Sequence, residues 1–534
     1  MQKSSAPSNF TRLGYLVLAI GTLMLYAPAV FFQFIYYDDN EYVFENARLQ
    51  AGLSLSFVKW AFTTFHFSNW HPLNWLSYAL DWELYGFWAG GYHATNILFH
   101  TANVLLVFFL FSRITRSPAK SFLIAALFAW HPVRVESVAW ISERKDVLST
   151  FFVLLSIISY AKFVSFEEKR KRLFYFLTLF LFICSLMSKP MYVTLPVILL
   201  FFDFWPFERT EPWLKRLVEK IPFALLSAAS SYVTIKAQSL SGAIHHFTDY
   251  PYWVRFANIA QAYWDYIFLF LWPAKLSIFY PYFPNAHVSR SLLIALILIL
   301  VTLVFFLRRK KQPALWVGWA FFGIMLFPVA GVITIGSHWI TCRYLYGPAI
   351  GLSFVAIWGI ASLLPKIRLP KIADQILAVG VLAGYFISAS IYLTYWQNSY
   401  KLFHHAVDTI PRNWVAHVNL RAAYGRDGDH DKAAEHLIQA IKIFPDVTNR
   451  IPLHWLDFYY MGKAYWNHGQ VAQAQSFFKE TARRIAEAKP EELHPRTEAT
   501  RRGLANCIIS MDAGRPQDCV FEPVTEQPDS SAKS

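Results

Sequence analysis

Apolar residues fill most of this chain in long blocks separated by short charged segments. The blocks are centred on residues 13–32, 93–112, 119–131, 147–164, 173–188, 190–205, 221–238, 291–307, 314–331, 347–364 and 374–395. Most approach the ~20 residues a helix needs to cross a bilayer; those at 119–131 and 190–205 read as short or kinked. A further aromatic stretch, "WVRFANIAQAYWDYIFLFLWP", carries Arg255 and Asp265 and reads as re-entrant or interfacial. The pattern predicts an α-helical polytopic membrane protein with about eleven transmembrane helices. Lys3 and Arg12 precede a first apolar run that is longer than a signal-peptide core, so a retained first span is expected.

After Trp396 the pattern becomes that of soluble, amphipathic helices. "HVNLRAAYGRDGDHDKAAEHLIQAIKIFP" places Leu420, Tyr424, Gly428, Ala433, Leu437, Ala440 and Pro445 at tetratricopeptide offsets. Met461, Gly462, Tyr465, Gly469, Ala474 and Phe478 repeat the pattern, and flanking helices near 399–411 and 491–511 are expected to complete the stack. The expected organisation is a membrane domain over 1–396, a tetratricopeptide-repeat α-solenoid over 397–520 and a disordered tail over 521–534. Such a module is a binding surface or a structural plug.

Composition agrees with a membrane chain. Of 534 residues, 55% are hydrophobic and only 16% are charged, against about 25% charged in a soluble domain. The net charge of +14 needs no nucleic acid, since cytoplasmic loops collect Lys and Arg, and no basic-aromatic RNA motif or recognition-helix pattern is present. With the N-terminus in the cytoplasm, Arg113, Arg116, Lys120 and the clusters within 162–172, 207–220, 308–311 and 366–371 all fall inside. The C-terminus then lies outside. Four cysteines are too few for a disulfide framework. Cys184 sits in an apolar run, while Cys507 and Cys519 can pair in an oxidising compartment. The spans carry almost no charge at their centres, unlike a proton pump or secondary transporter, and few residues could line the polar path of a lipid flippase.

Charge collects instead in three outer loops. The first, about 33–92, holds Asp38, Asp39, Glu41, "NWHPLNW" and "LYGFWAGGYHATN". The second holds "WHPVRVESVAWISERKD" and the third "GSHWITCRYLYGPAIG". Asp38 and Asp39 could be helix N-caps ahead of "NEYVFENARL". Arg343 could be an interfacial, snorkelling arginine, and the "SERKD" run (Glu143, Arg144, Lys145 and Asp146) could either shape a binding pocket or be a self-paired loop.

"YDDNEYVFEN", "NWHPLNWLSYALDWELYGFWAGGYHATNILFH" and "HPVRVESVAWISERKDVLS" together resemble the membrane domain of bacterial relatives of the transmembrane and tetratricopeptide-repeat O-mannosyltransferases, which are GT-C type glycosyltransferases. The resemblance covers nearly the whole chain. It implies transfer of a monosaccharide, mannose by resemblance, from a polyprenyl-phosphate donor to a hydroxyl acceptor. The acceptor would be a Ser or Thr of an exported protein held by the repeats, on the outer face of a bacterial inner membrane. It also implies an essential acid within an acidic pair, here Asp38 and Asp39, with either able to be the base. Arg343, His338, Lys189 and Arg255 are candidates for the donor phosphate, and Glu136 for a second acid. No obligatory cofactor is expected. A divalent metal is conceivable near His71, His93, His131 and His338, but no spacing ties two ligands together, and a monophosphate can leave with arginine help. Two alternatives stay open: the same chemistry on a lipid or envelope glycan, and a membrane-anchored repeat scaffold without catalysis.

Overall fold

The computed structural model describes residues 9–166, 168–240, 252–281, 288–331, 338–367, 371–449, 451, 453–487 and 497–513. The chain divides into two compact units, Met1–Leu402 and Phe403–Ser534.

In the first unit the helices follow the apolar blocks. They are α1 (Asn9–Tyr26), α2 (Ala47–Gln50), α3 (Leu55–Thr63), α4 (Pro72–Tyr85), α5 (Ala89–Ile114), α6 (Pro118–Trp130), α7 (Val135–Ala139), α8 (Arg144–Ser165) and α9 (Glu168–Ser188). They continue with α10 (Leu195–Phe204), α11 (Trp213–Val218), α12 (Ile221–Leu240), α13 (Tyr252–Leu271), α14 (Val288–Leu307), α15 (Pro313–Leu326), α16 (Ala349–Ile367) and α17 (Lys371–Thr394). Among the described residues, six helices are long and apolar enough to span a membrane, or seven if the pair Pro118–Trp130 and Pro132–Ala139, bent by 55°, counts as one. Leu195–Phe204, Pro313–Val329 and Ala349–Leu363 are apolar but shorter.

The expected eleven spans are therefore not reached by this measure, and the reasons are local. Pro132 cannot donate to the ladder that α6 would extend, so the chain bends there. The ten-residue α10 rises only about 15 Å, half a bilayer core. Helix α12 carries Ser227, Ser230, Ser231, Lys236 and Gln238 along its length, and it fails on hydropathy. The stretch around Arg255 forms the continuous helix α13 and is likewise absent from the set.

Lipid-facing surface is plain on α14, where Leu292, Leu293, Leu296, Ile299, Leu300, Leu303 and Val304 are all exposed. A helix greasy on every exposed side is a membrane span. Helix α5 is the hub, packed on α1, α6 and α8. Helices α15 and α16 approach closely at Gly318 and Gly351: a Cβ on Gly351 would sit 2.4 Å from the Gly318 carbonyl. The segment 33–92 packs around a core of Tyr42, Trp75 and Tyr78, with Tyr42 stacked on Trp75 at 5.0 Å. Its outward face exposes Leu80, Leu84, Phe87 and Trp88, which suits the interfacial layer of a membrane.

After α18 (Ser399–Thr409), the second unit contains two helical hairpins, α19 (Trp414–Arg426) with α20 (His430–Ile443) and α21 (Trp455–Asn467) with α22 (Val471–Glu487), followed by α23 (Thr497–Asp512). Equivalent positions recur: Leu420 and Met461, Ala433 and Ala474, Leu437 and Phe478 are all buried. Gly428 and Gly469 close the two turns with φ of 79° and 71°, a region open to glycine at little cost. The spacing exceeds the ~34-residue tetratricopeptide period, the excess falling between α20 and α21. Cys507 is disulfide-bonded; Cys184 and Cys342 are free thiols. Cys519 and the expected tail over 521–534 lie outside the described residues.

Candidate active site

A cavity of about 270 Å³ opens beside the N-terminal end of α8. Its charged and polar lining is Asp38, Asn69, His71, Glu143, Lys145, Lys189, Arg343 and Tyr344, with Ser231, Thr234 and Gln238 of α12. Pro190, Met191, Val193, Ile235, Pro328 and Val329 add apolar lining. Charged and apolar groups share one space, so the cavity suits an amphipathic anion.

The acidic pair divides its work. Asp39 is fully buried. One of its oxygens accepts from the Ile35 backbone N–H (2.8 Å) and the other from the Ser142 N–H (2.9 Å). The carboxylate thus staples the first outer loop to the segment leading into α8. Burial pushes Asp39 up to about 7, with the two N–H donors opposing the shift. Asp38 is only partly buried and lines the cavity. Among the described residues its carboxylate makes no hydrogen bond or ion pair. Burial raises it above the ordinary carboxylate range, while Lys145 and Arg343 pull it down. The helix-cap alternative is overturned: the turn Asn40–Phe44 has no side-chain cap from Asp39, and Asn46 caps α2 instead, accepting from Arg48 N and Leu49 N.

The cations are held from behind. Lys189 Nζ donates to Asp146 Oδ1 (2.6 Å) and Glu143 Oε2 (3.1 Å). Arg343 Nη1 donates to Glu136 Oε1 (2.6 Å), and its Nε lies 3.2 Å from Glu143 Oε1. Lys145 Nζ lies 3.2 Å from Glu143 Oε1 and 5.0 Å over the Tyr42 ring. Both Lys189 and Arg343 are raised from their ordinary values, the carboxylates overcoming burial. Three cations therefore share the fixed acids, of which only Glu143 reaches the cavity.

Glu136, expected as a second acid, is fully buried behind Arg343 and does not line the cavity. Thr341 Oγ1 also donates to it (2.7 Å), and among the described residues its second oxygen has no partner. His338 is also off the cavity, its Nε2 paired with the Tyr344 hydroxyl at 3.2 Å. Burial lowers His338 and His71 to about 3. The Arg255 side chain lies outside the described residues.

Four supporting residues stand beside these; the "SERKD" run already offered two of them, Arg144 and Lys145, while Arg134 and Asn74 were not singled out by sequence. Lys145 lines the cavity. Its neighbour Arg144 turns away from the cavity to Asp81 (2.6 Å) and the Tyr92 carbonyl (3.0 Å), fixing α4 and α5 to α8. Arg134 donates to the Leu345 carbonyl (2.7 Å) and anchors the segment that carries Arg343. Asn74 of "NWHPLNW" donates to the Ser188 carbonyl, at the peptide that joins Lys189. The signal available was that each lies within two residues of the start of a helix.

The described residues define a helical membrane protein with a cavity lined by both charged and apolar side chains. No protein-family model matches the chain. It is similar to protein O-mannosyl-transferase TMTC1 of Homo sapiens, 21% identical over 487 residues, covering 80% of this chain and 55% of that protein. It is also similar to the Homo sapiens protein O-mannosyl-transferases TMTC4 (32% over 157 residues, 25% of this chain and 21% of that protein) and TMTC2 (37% over 98 residues, 18% and 12%). The chain thus spans between about an eighth and just over half of these relatives. They are animal proteins, so the likeness extends to the O-mannosyl-transferases and gives no support for a bacterial source.

Proposed function

We propose that the chain is a GT-C type membrane glycosyltransferase. It moves a monosaccharide, mannose by likeness to its relatives, from a polyprenyl-phosphate donor to a hydroxyl acceptor. The observation that carries this reading is the cavity itself: a carboxylate without a partner among the described residues, Asp38, faces three cations across a space with an apolar wall. The donor's phosphate would sit against Lys145, Lys189 and Arg343, with its first isoprene units along Met191, Val193 and Ile235. Asp38 takes the acceptor's hydroxyl proton as the oxygen bonds to the anomeric carbon. The bond from that carbon to the phosphate oxygen breaks, and its electron pair leaves with the phosphate. Arg343 and Lys189 are already aimed at the developing charge, which is where fixed electrostatics lowers a barrier most. This arrangement supplies the positive charge without a metal. Glu136 and Asp146 position the two cations.

The acceptor in this reading is a Ser or Thr of an exported protein. The second unit would be a tetratricopeptide-type module that holds it, in a groove of about 320 Å³ lined by Arg421, Arg426, His430, His454 and Tyr460. The disulfide at Cys507 supports placing that unit in an oxidising compartment. The working topology has eleven spans, an N-terminus in the cytoplasm and the catalytic loops on the periplasmic face of a bacterial inner membrane.

The test is to incubate purified protein with radiolabelled polyprenyl-phosphate mannose and an exported-protein extract, beside the Asp38→Asn variant. Label reaching protein with the native chain only supports the reaction and the base. Label reaching lipid or glycan keeps the enzyme and replaces the acceptor. No transfer with mannose or with a panel of lipid-linked sugars sinks the reading in favour of a scaffold.

A further inference from the structure

A second cavity, about 470 Å³, lies at the other end of α8. Helix α8 fixes the separation: Lys145 borders the first cavity and Lys162 the second. At 1.5 Å per residue the helix rises about 26 Å between them, close to the thickness of a bilayer's hydrocarbon core. The two cavities therefore open towards opposite membrane surfaces.

The wall of the second cavity has three cations, Arg113, Arg116 and Lys162, and a single acid, Glu208. Phe109, Ile158 and Trp205 supply apolar surface beside them. Among the described residues none of the three cations has a carboxylate partner; Arg113 lies 5.6 Å over the Phe109 ring and Lys162 5.2 Å over Phe174. The contrast with a neighbouring cluster is informative. Arg209 is paired with Glu211 (3.0 Å) and Glu219 (2.6 Å), and Lys220 with Asp203 (2.6 Å). That cluster satisfies itself; the cavity does not. Arg116 and Glu208 also hold left-handed backbone, with φ of 52° and 49°. Side-chain-bearing residues rarely adopt that region without a reason.

We infer that this cavity is a binding site for an anionic glycerophospholipid. The phosphate-bearing headgroup is held by Arg113, Arg116 and Lys162, and the upper acyl chains lie along Phe109, Ile158 and Trp205. Basic pockets between helices at a membrane surface recognise lipid headgroups through this combination of charge and grease. The inference is independent of the transfer reaction, since no residue of the first cavity takes part.

The experiment is native mass spectrometry of the full chain in neutral detergent, titrated with equal amounts of phosphatidylglycerol and phosphatidylcholine. Two net positive charges predict a preference for phosphatidylglycerol on the order of thirtyfold. The Arg113→Gln/Arg116→Gln/Lys162→Gln variant is expected to fall to near parity. Glu208→Gln, which removes the one opposing charge, is expected to strengthen retention, and its opposite sign guards against a misfolded triple variant. Asp38→Asn is expected to change nothing here. Inorganic phosphate at matched concentration is expected not to displace the lipid; displacement would make the ligand a free anion and overturn the lipid assignment. Equal retention of both lipids, or equal phosphatidylglycerol retention by native and triple-variant protein, would overturn the site.

Discussion

At the scale of single residues, adjacent carboxylates have different surroundings and so predict different phenotypes. Asp38→Asn is expected to abolish transfer and leave the melting temperature unchanged. Asp39→Asn sets an amide N–H against a backbone N–H donor. It is expected to cost about 1–3 kcal/mol of stability and to lower activity only through loss of the loop's position. Thermal unfolding in detergent, run beside the transfer assay, separates the two. Arg343→Lys keeps the charge but loses the rigid guanidinium fork that spans Glu136 and Glu143, so kcat/KM is expected to fall on the order of tenfold to a hundredfold. The pH profile has a definite sign. The base must be ionised, so activity rises with pH through the Asp38 pKa, which lies above its ordinary value. Lys145→Met removes a cation that holds this carboxyl down, and the acid limb is expected to move to higher pH. No limb is expected from His71 or His338, which burial keeps neutral. Sequence located the pair "DD" but could not tell its members apart. Their difference lies in which carboxylate meets the N–H of Ser142, a contact made across 103 residues.

At the scale of elements, hydrophobic pattern found the helices, while six or seven of them, among the described residues, are long and apolar enough to cross unaided. The pattern counts apolar residues; crossing also needs unbroken length. Pro132 bends one block, and α10 and α15 stay short, the latter running into Pro328. The pattern was also blind to close approaches between helices, which depend on the absence of a side chain. Gly318→Leu tests one of them. Its Cβ would lie 2.7 Å from Phe354 Cβ and 2.9 Å from the Gly351 carbonyl, so α15 and α16 must part. Overpacking of this kind costs about 1–3 kcal/mol, to be read as a lowered thermal midpoint in detergent.

At the scale of the whole molecule, the sides of the protein were more legible than its interior. Lys and Arg counts alone separated 113–120 and 162–172 from the loops that bear Asp38, Glu143 and Arg343, and the folded helices place those groups at opposite ends. The apolar wall of Met191, Val193 and Ile235 was not legible, because nothing distinguishes a cavity-facing aliphatic from a lipid-facing one in sequence. If the second unit holds the acceptor, Arg421→Glu with Tyr460→Ala should weaken transfer to proteins and spare transfer to a small soluble alcohol. Chelation by EDTA is expected to leave the rate unchanged, since the leaving phosphate meets only fixed cations. Those cations already have fixed counter-ions, and this bears on turnover. Lys189 rests between Glu143 and Asp146, and Arg343 between Glu136 and Glu143. A phosphate that enters must exchange with carboxylates that cannot diffuse away. On the proposed reaction, the same carboxylates would reclaim their cations once the sugar has gone, so spent carrier would be expelled by ion exchange built into the wall rather than retained as a product inhibitor.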